Sequence, residues 1–117
     1  MEELISPSDM AALKANGRHA ALDPSYDPYA VICLRAPDGP QLWLLAEVDA
    51  EDEDLAYGLC DLGIGLPEPG SVSIRWLAAW RGRLGMRLEK DRTFASAAPL
   101  RLSTLARVAA AAGRIVT

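Results

Sequence analysis

The sequence predicts an α+β fold: a single domain over residues 1–117, with a small, mainly antiparallel sheet of about three to four strands packed against about three helices. Three observations carry this. Two apolar runs, Ala30–Arg35 and Gln41–Val48, flank the breaker-rich Ala36-Pro-Asp-Gly-Pro40 in the manner of a β-hairpin. Helix-opening serines stand at Ser6, Ser73 and Ser103. Half of the 117 residues are apolar, enough for one contiguous core without disulfide or metal support.

Taken in order, Ser6-Pro7-Ser8-Asp9 opens the first helix, with Ser6 as cap, Pro7 in the first turn and Asp9 at the capping-box distance. The helix is expected to run to about Ala15 and to stop at Asn16-Gly17. Residues 18–28 read as a loop broken by Asp23-Pro24 and Asp27-Pro28. The near-continuous hydrophobicity of Gln41–Val48 suggests a central strand covered on both faces.

Beyond it the acidic run Asp49–Asp54 leads into Leu55–Leu62, read as a short helix or turn, and then into the glycine-proline stretch Gly63–Gly70. This is the least regular part of the chain, where a site is first sought. Val72 finishes a short strand, and Ser73 caps a helix expected to reach Leu84 and to stop at Gly85. Trp76, Leu77, Trp80 and Leu84 fall on one apolar face, with the tryptophans anchoring the helix on the sheet. Met86–Phe94 alternates as a third strand, Ser96–Pro99 is a linker, and Ser103 caps a last helix, Thr104–Ala112, ended by Gly113.

The charge is unevenly placed. Residues 1–70 hold 14 acidic and 3 basic side chains, and residues 71–117 hold 2 acidic and 9 basic, within a net charge of −4. Three readings follow: the two parts neutralise each other within the fold, they pair between molecules as a homo-oligomer, or one presents a charged face to a partner. The apolar runs are too short to cross a membrane. The acidic start and two unpaired cysteines, Cys33 and Cys60, fit a cytoplasmic protein with reduced, structural thiols.

Candidate chemistry is sparse. Cys60, Asp61 and a distant His19 have the residue types of a thiol nucleophile and base, but Cys60 lies among leucines and reads as a buried hydrophobe. One histidine and two separated cysteines draw no zinc set, and the glycines lack the endings of a nucleotide loop, so no cofactor is expected. Glu47, Asp49, Glu51, Asp52, Glu53, Asp54, Asp61 and Glu68 form a candidate partner-binding surface, since carboxylates on a scaffold imitate a phosphate backbone. Arg75, Arg81, Arg83, Arg87, Lys90 and Arg92, with Arg101, form an alternative surface for direct nucleic-acid binding. Glu47, Asp49 and Asp61 form an alternative metal site of a hydrolase or nuclease.

A resemblance extends over most of the chain. Pro37-Asp38-Gly39, Trp43-Leu44, Glu47-Val48-Asp49, Asp54-Leu-Ala-Tyr-Gly-Leu-Cys-Asp-Leu-Gly63, Gly65, Pro67-Glu68 and Val72-Ser73 resemble a bacterial domain-of-unknown-function family, number 2958, as do Ala15-Asn16-Gly17 and Gly85, Glu89, Asp91 and Phe94. Asp54–Gly63 is the specific part, and Thr104 onward carries no signature of the family. The resemblance implies a protein often carried on mobile elements, with a role in transfer, replication or evasion of host defence. It also adds weight to Glu47, Asp61 and Glu68 as surface-site residues. The expectation is a non-catalytic binding protein that engages a protein or nucleoprotein partner through charged surfaces.

Overall fold

The computed structural model describes residues 4–94 and 100–116; the acidic start and the Ser96–Pro99 linker lie outside the described residues. The elements are α1 (Pro7–Leu22), β1 (Ile32–Arg35), β2 (Leu42–Val48), β3 (Leu55–Asp61), β4 (Glu68–Ser73), α2 (Ile74–Ala79), β5 (Glu89–Lys90) and α3 (Leu102–Ala112). The strands form one antiparallel sheet in the order β4-β3-β2-β1-β5, so the expected α+β fold stands with five strands rather than three or four.

The hairpin and its apolar second strand fall where the residues placed them: β1 pairs with β2 through Ile32–Leu45 to Arg35–Leu42. Because successive side chains of a strand point to opposite faces, a run apolar at every position must be covered twice. It is. On one face Leu13 of α1 and Leu77 of α2 join Ile32, Leu34, Trp43, Leu45, Val48 and Ala56; on the other, Leu102, Leu105 and Ala109 of α3 join Cys33, Leu44, Ala46 and Leu59.

Helix α1 does not stop at Asn16-Gly17 but runs on to Leu22. Gly17 is a docking position: a Cβ there would lie 1.7 Å from the Val48 carbonyl oxygen, so only glycine lets the helix press onto the end of β2. Asn16 donates to the carbonyl of Ala46, the residue skipped where the β2–β3 register shifts, at 2.8 Å, and accepts from Tyr26 at 2.9 Å. The stop is Asp23-Pro24, because a residue before proline is driven into the extended region that Asp23 occupies. Ser6 caps the helix as expected, accepting from Asp9 N at 3.1 Å.

Leu55–Leu62 is neither helix nor turn. It is β3, paired along its length with both β2 and β4, and those ladders override the weak local preference of alanine and glycine. Gly63–Gly70 divides into a turn, with Gly63 and Gly65 at positive φ, and the start of β4, whose edge position accommodates Pro69.

Ser73 caps α2 by accepting from Trp76 N, but the helix ends at Ala79 instead of Leu84. Beyond it the chain is held by Asp38, which accepts from Leu84 N at 2.8 Å and Met86 N at 3.2 Å. Gly82 packs over the same carboxylate, so closely that a Cβ would sit 1.9 Å from Asp38 Oδ1. Of Met86–Phe94 only Glu89–Lys90 pairs, with β1. Gly113 ends α3 as expected, at φ 73°. Ser103 is not the cap: Asp27 reaches across from the first loop, accepting from Ser103 N at 3.1 Å and from the Ser103 hydroxyl.

Candidate functional site

The two ends of the sheet differ in chemistry. At one end residues 49–54 join β2 to β3, and their carboxylates are largely committed to the fold. Asp49 accepts from the backbone N–H of Glu51 and Asp52 at 2.9 and 3.1 Å, and Asp52 accepts from Asp54 N at 3.0 Å. Asp54 accepts from Ser73 Oγ at 2.5 Å and Arg75 N at 2.9 Å and lies 3.6 Å from the Arg75 guanidinium. The Ser73 hydrogen bond, then the Arg75 backbone bond, hold its carboxyl below the usual range. Glu53 pairs with Lys14 at 2.7 Å, and Glu51 and Asp52 are exposed. Glu47, half-buried on β2, has its carboxyl pushed up by burial and then by Asp49.

Asp61 belongs to the other end of β3. Glu47 lies opposite Tyr57, four residues before Asp61, or about 13 Å along the strand. Asp61 is buried and accepts from Gly63 N at 2.8 Å and Ile115 N at 2.9 Å, which latches the β3–β4 turn to the chain after α3. The metal set Glu47, Asp49 and Asp61 is therefore not assembled, because its members sit at opposite ends of the sheet. Among the described residues no group of three or more His, Cys, Asp or Glu is placed to hold a metal ion. Asp61 also leaves the surface set, whereas Glu68 is exposed at the start of β4.

The basic residues are dispersed. Arg75 lies at the acidic end with Asp54; Lys90 pairs with Asp9 at 2.7 Å; Arg81 donates to the carbonyls of Ala79 and Trp80; Arg101 stacks 4.1 Å over Tyr29. Arg83, Arg87 and Arg92 are exposed. Three ion pairs, Asp54–Arg75, Asp9–Lys90 and Arg35–Asp91, join the first seventy residues to the rest, and the first two of them set an acidic residue of the first part against a basic residue of the second.

Neither thiol is activated. Burial pushes Cys33 up to about 12, and burial followed by the charges of Asp61 and Glu68 pushes Cys60 up, against a hydrogen bond from Trp43. His19 stacks on Tyr26 in the last turn of α1, a helix that meets β2 through Gly17 at Val48, the far end of β2 from Trp43 and its partner Cys60.

What the sequence reading missed is an apolar groove of about 340 Å³ beside the edge strand β4. Its floor follows from register: Trp43, Cys60 and Glu68 form one cross-strand row, and Leu45, Gly58 and Gly70 form the next. Two glycines side by side leave that second row with the Leu45 side chain alone. Gly58 is required by contact, since a Cβ would lie 1.8 Å from the Leu44 carbonyl oxygen, whereas a Cβ on Gly70 would meet nothing within 4 Å.

The walls are Trp76, 53% exposed, and Leu62, Ile64 and Leu66 of the β3–β4 turn, with Ile64 69% exposed. Trp43 braces the site, edge-on to Trp76 and Trp80 at 6.2 and 5.8 Å between ring centroids. Both tryptophans thus pack on the sheet as expected, but Trp76 does so with half of its surface left in solvent. The signal was present in Leu62-Gly-Ile-Gly-Leu66, which is too apolar for a solvated turn.

No helix among the described residues is long and apolar enough to cross a membrane. No curated protein and no solved structure matches the chain. The family model "Protein of unknown function (DUF2958)" matches residues 4–116, including α3, for which no family signature had been legible. Covering almost the whole chain, that match shows that the protein belongs to the DUF2958 family.

Proposed function

We propose that this protein is a non-catalytic binding module that engages a protein partner through the groove beside β4, with the charged residues around it setting orientation. The observation that carries this is the groove itself: a concave apolar surface along a sheet edge, walled by a half-exposed tryptophan and three exposed aliphatic side chains. Large exposed apolar side chains cost solubility, and an aromatic anchor beside a pocket is the usual centre of a protein interface. An edge strand adds backbone donors and acceptors for an extended partner segment. The acidic residues Glu47, Asp49, Glu51, Asp52, Glu53 and Asp54 become secondary, because several already hold the fold together. A small module that covers a surface of its partner suits an accessory or anti-defence factor, the role implied by the family resemblance.

The test is capture from a nuclease-treated bacterial lysate with three baits: the wild type, Gly70→Leu to fill the groove, and a form with Glu51, Asp52, Glu53 and Asp54 replaced by their amides. A partner retained by the wild type and the amide form but lost with Gly70→Leu is the expected result. Loss with the amide form and retention with Gly70→Leu would return the interface to the acidic loop.

A further inference from the structure

Groove and ligand chemistry occur on the same molecule. The groove is lined mostly by apolar side chains, and its one charged residue is Glu68. Its complement is a short apolar segment flanked by positive charge. Arg83-Leu84-Gly85-Met86-Arg87 has that character, with Leu84 76% and Met86 46% exposed.

This turn is stiffened in advance. Asp38 accepts from Leu84 N and Met86 N, Gly82 N donates to Met86 O at 2.9 Å, Gly85 N donates to Gly82 O at 2.9 Å, and Gly85 adopts φ 80°. A knob held in one conformation loses little entropy on docking. Among the described residues Arg83, Arg87 and Glu68 enter no ion pair.

Knob and groove also share one end of the sheet. Both pack on the β1–β2 turn, the knob through Asp38 and the groove wall through Gly63, where a Cβ would lie 2.4 Å from Pro40 Cγ. A protrusion and a complementary hollow that lie side by side can be exchanged reciprocally about a two-fold axis, where the same patch serves both subunits.

Resting on the reading of the groove as a protein-docking surface, we infer that its occupant is the Arg83–Arg87 turn of a second copy of this chain, exchanged reciprocally. Leu84 and Met86 of each copy enter the groove of the other, beside Trp76, and the flanking arginines face Glu68. The contact is self-limiting at two, because each groove is filled by the copy whose own groove it fills.

Sedimentation velocity over a dilution series tests this with the wild type, Leu84→Glu, Gly70→Leu and an equimolar mixture of the two variants. Leu84 is exposed and Gly70 faces open space, so both variants are expected to fold, and an unchanged circular dichroism melt checks it. The wild type is expected to dimerise. Each variant breaks both contacts and weakens the dimer about 100-fold, at about tenfold per contact, the scale of burying one leucine side chain. The mixture recovers about tenfold, because the turn of Gly70→Leu still fits the groove of Leu84→Glu and restores one contact.

A wild type that stays monomeric at millimolar concentration, or a mixture no stronger than either variant, overturns the dimer. If the monomeric wild type still captures a foreign protein in a Gly70-dependent manner, the docking reading survives alone. If it captures none, both fail.

Discussion

The acidic end of the sheet and its apolar end make opposite use of their residues. At the acidic end, six carboxylates between Glu47 and Asp54 dominate the sequence, yet Asp49, Asp52 and Asp54 accept backbone N–H groups and Glu53 and Asp54 meet Lys14 and Arg75. At the apolar end, Leu62, Ile64, Leu66, Trp76, Leu84 and Met86 are exposed with little cover from the fold. The prominent charge largely serves the fold, while the residues with the most to gain from a partner stand in the glycine-rich turn Leu62–Leu66, on α2 and in the turn beyond it. Charge in water costs little when left alone, but exposed apolar surface does not.

The largest way to break the comparison is to remove the brace of the apolar end. Trp43→Ala deletes a side chain only 2% exposed and leaves Trp76 and Trp80 without their shared neighbour, so urea unfolding should show a loss of about 3–5 kcal/mol. At the other end, Gly17→Ala tests the packing of α1 on β2. A mid-helix glycine ordinarily gains about 1 kcal/mol on becoming alanine. Here the Cβ meets the Val48 carbonyl, and a loss of about 1–3 kcal/mol is expected instead.

A smaller effect concerns the link between the acidic loop and α2. Ser73→Ala removes the cap of α2 and a donor to Asp54, at a cost of about 1 kcal/mol. The Asp54 carboxyl should then titrate closer to its ordinary value, which carbon-detected NMR can follow. In the wild type this lowered value stabilises the fold above the unfolded pKa, and the contribution disappears as the pH falls through the folded value.

Glu47 gives the smallest effect and the opposite sign. Its carboxyl is raised in the folded state, so its protonated form favours folding below the unfolded pKa and this contribution is lost as the pH rises through the folded value. Glu47→Gln should therefore raise the melting temperature slightly at neutral pH and leave it unchanged in acid.

How much of this was legible depends on whether a residue acts locally. Ser6 and Ser73 cap helices, Gly113 ends one, and the β1–β2 hairpin forms, because each depends on neighbours a few residues away. Asn16-Gly17 has the form of a helix stop, and only the approach of β2 makes it a docking position. Leu55–Asp61, with Ala56, Gly58 and a terminal Asp61, does not announce a strand, and becomes one between two ladders. The groove was hidden for a related reason: Gly58 and Gly70 are twelve residues apart, and only the β3–β4 register sets them side by side. Asp38 and Asp27 likewise act on segments more than forty residues away.

The central claim is that partners meet the apolar end and not the acidic end. A photoreactive phenylalanine analogue introduced at Leu66 or at Asp52, followed by irradiation in a nuclease-treated lysate, compares the two directly. Protein adducts from position 66 that Gly70→Leu abolishes, with none from position 52, are the predicted result; adducts from position 52 alone would contradict the account.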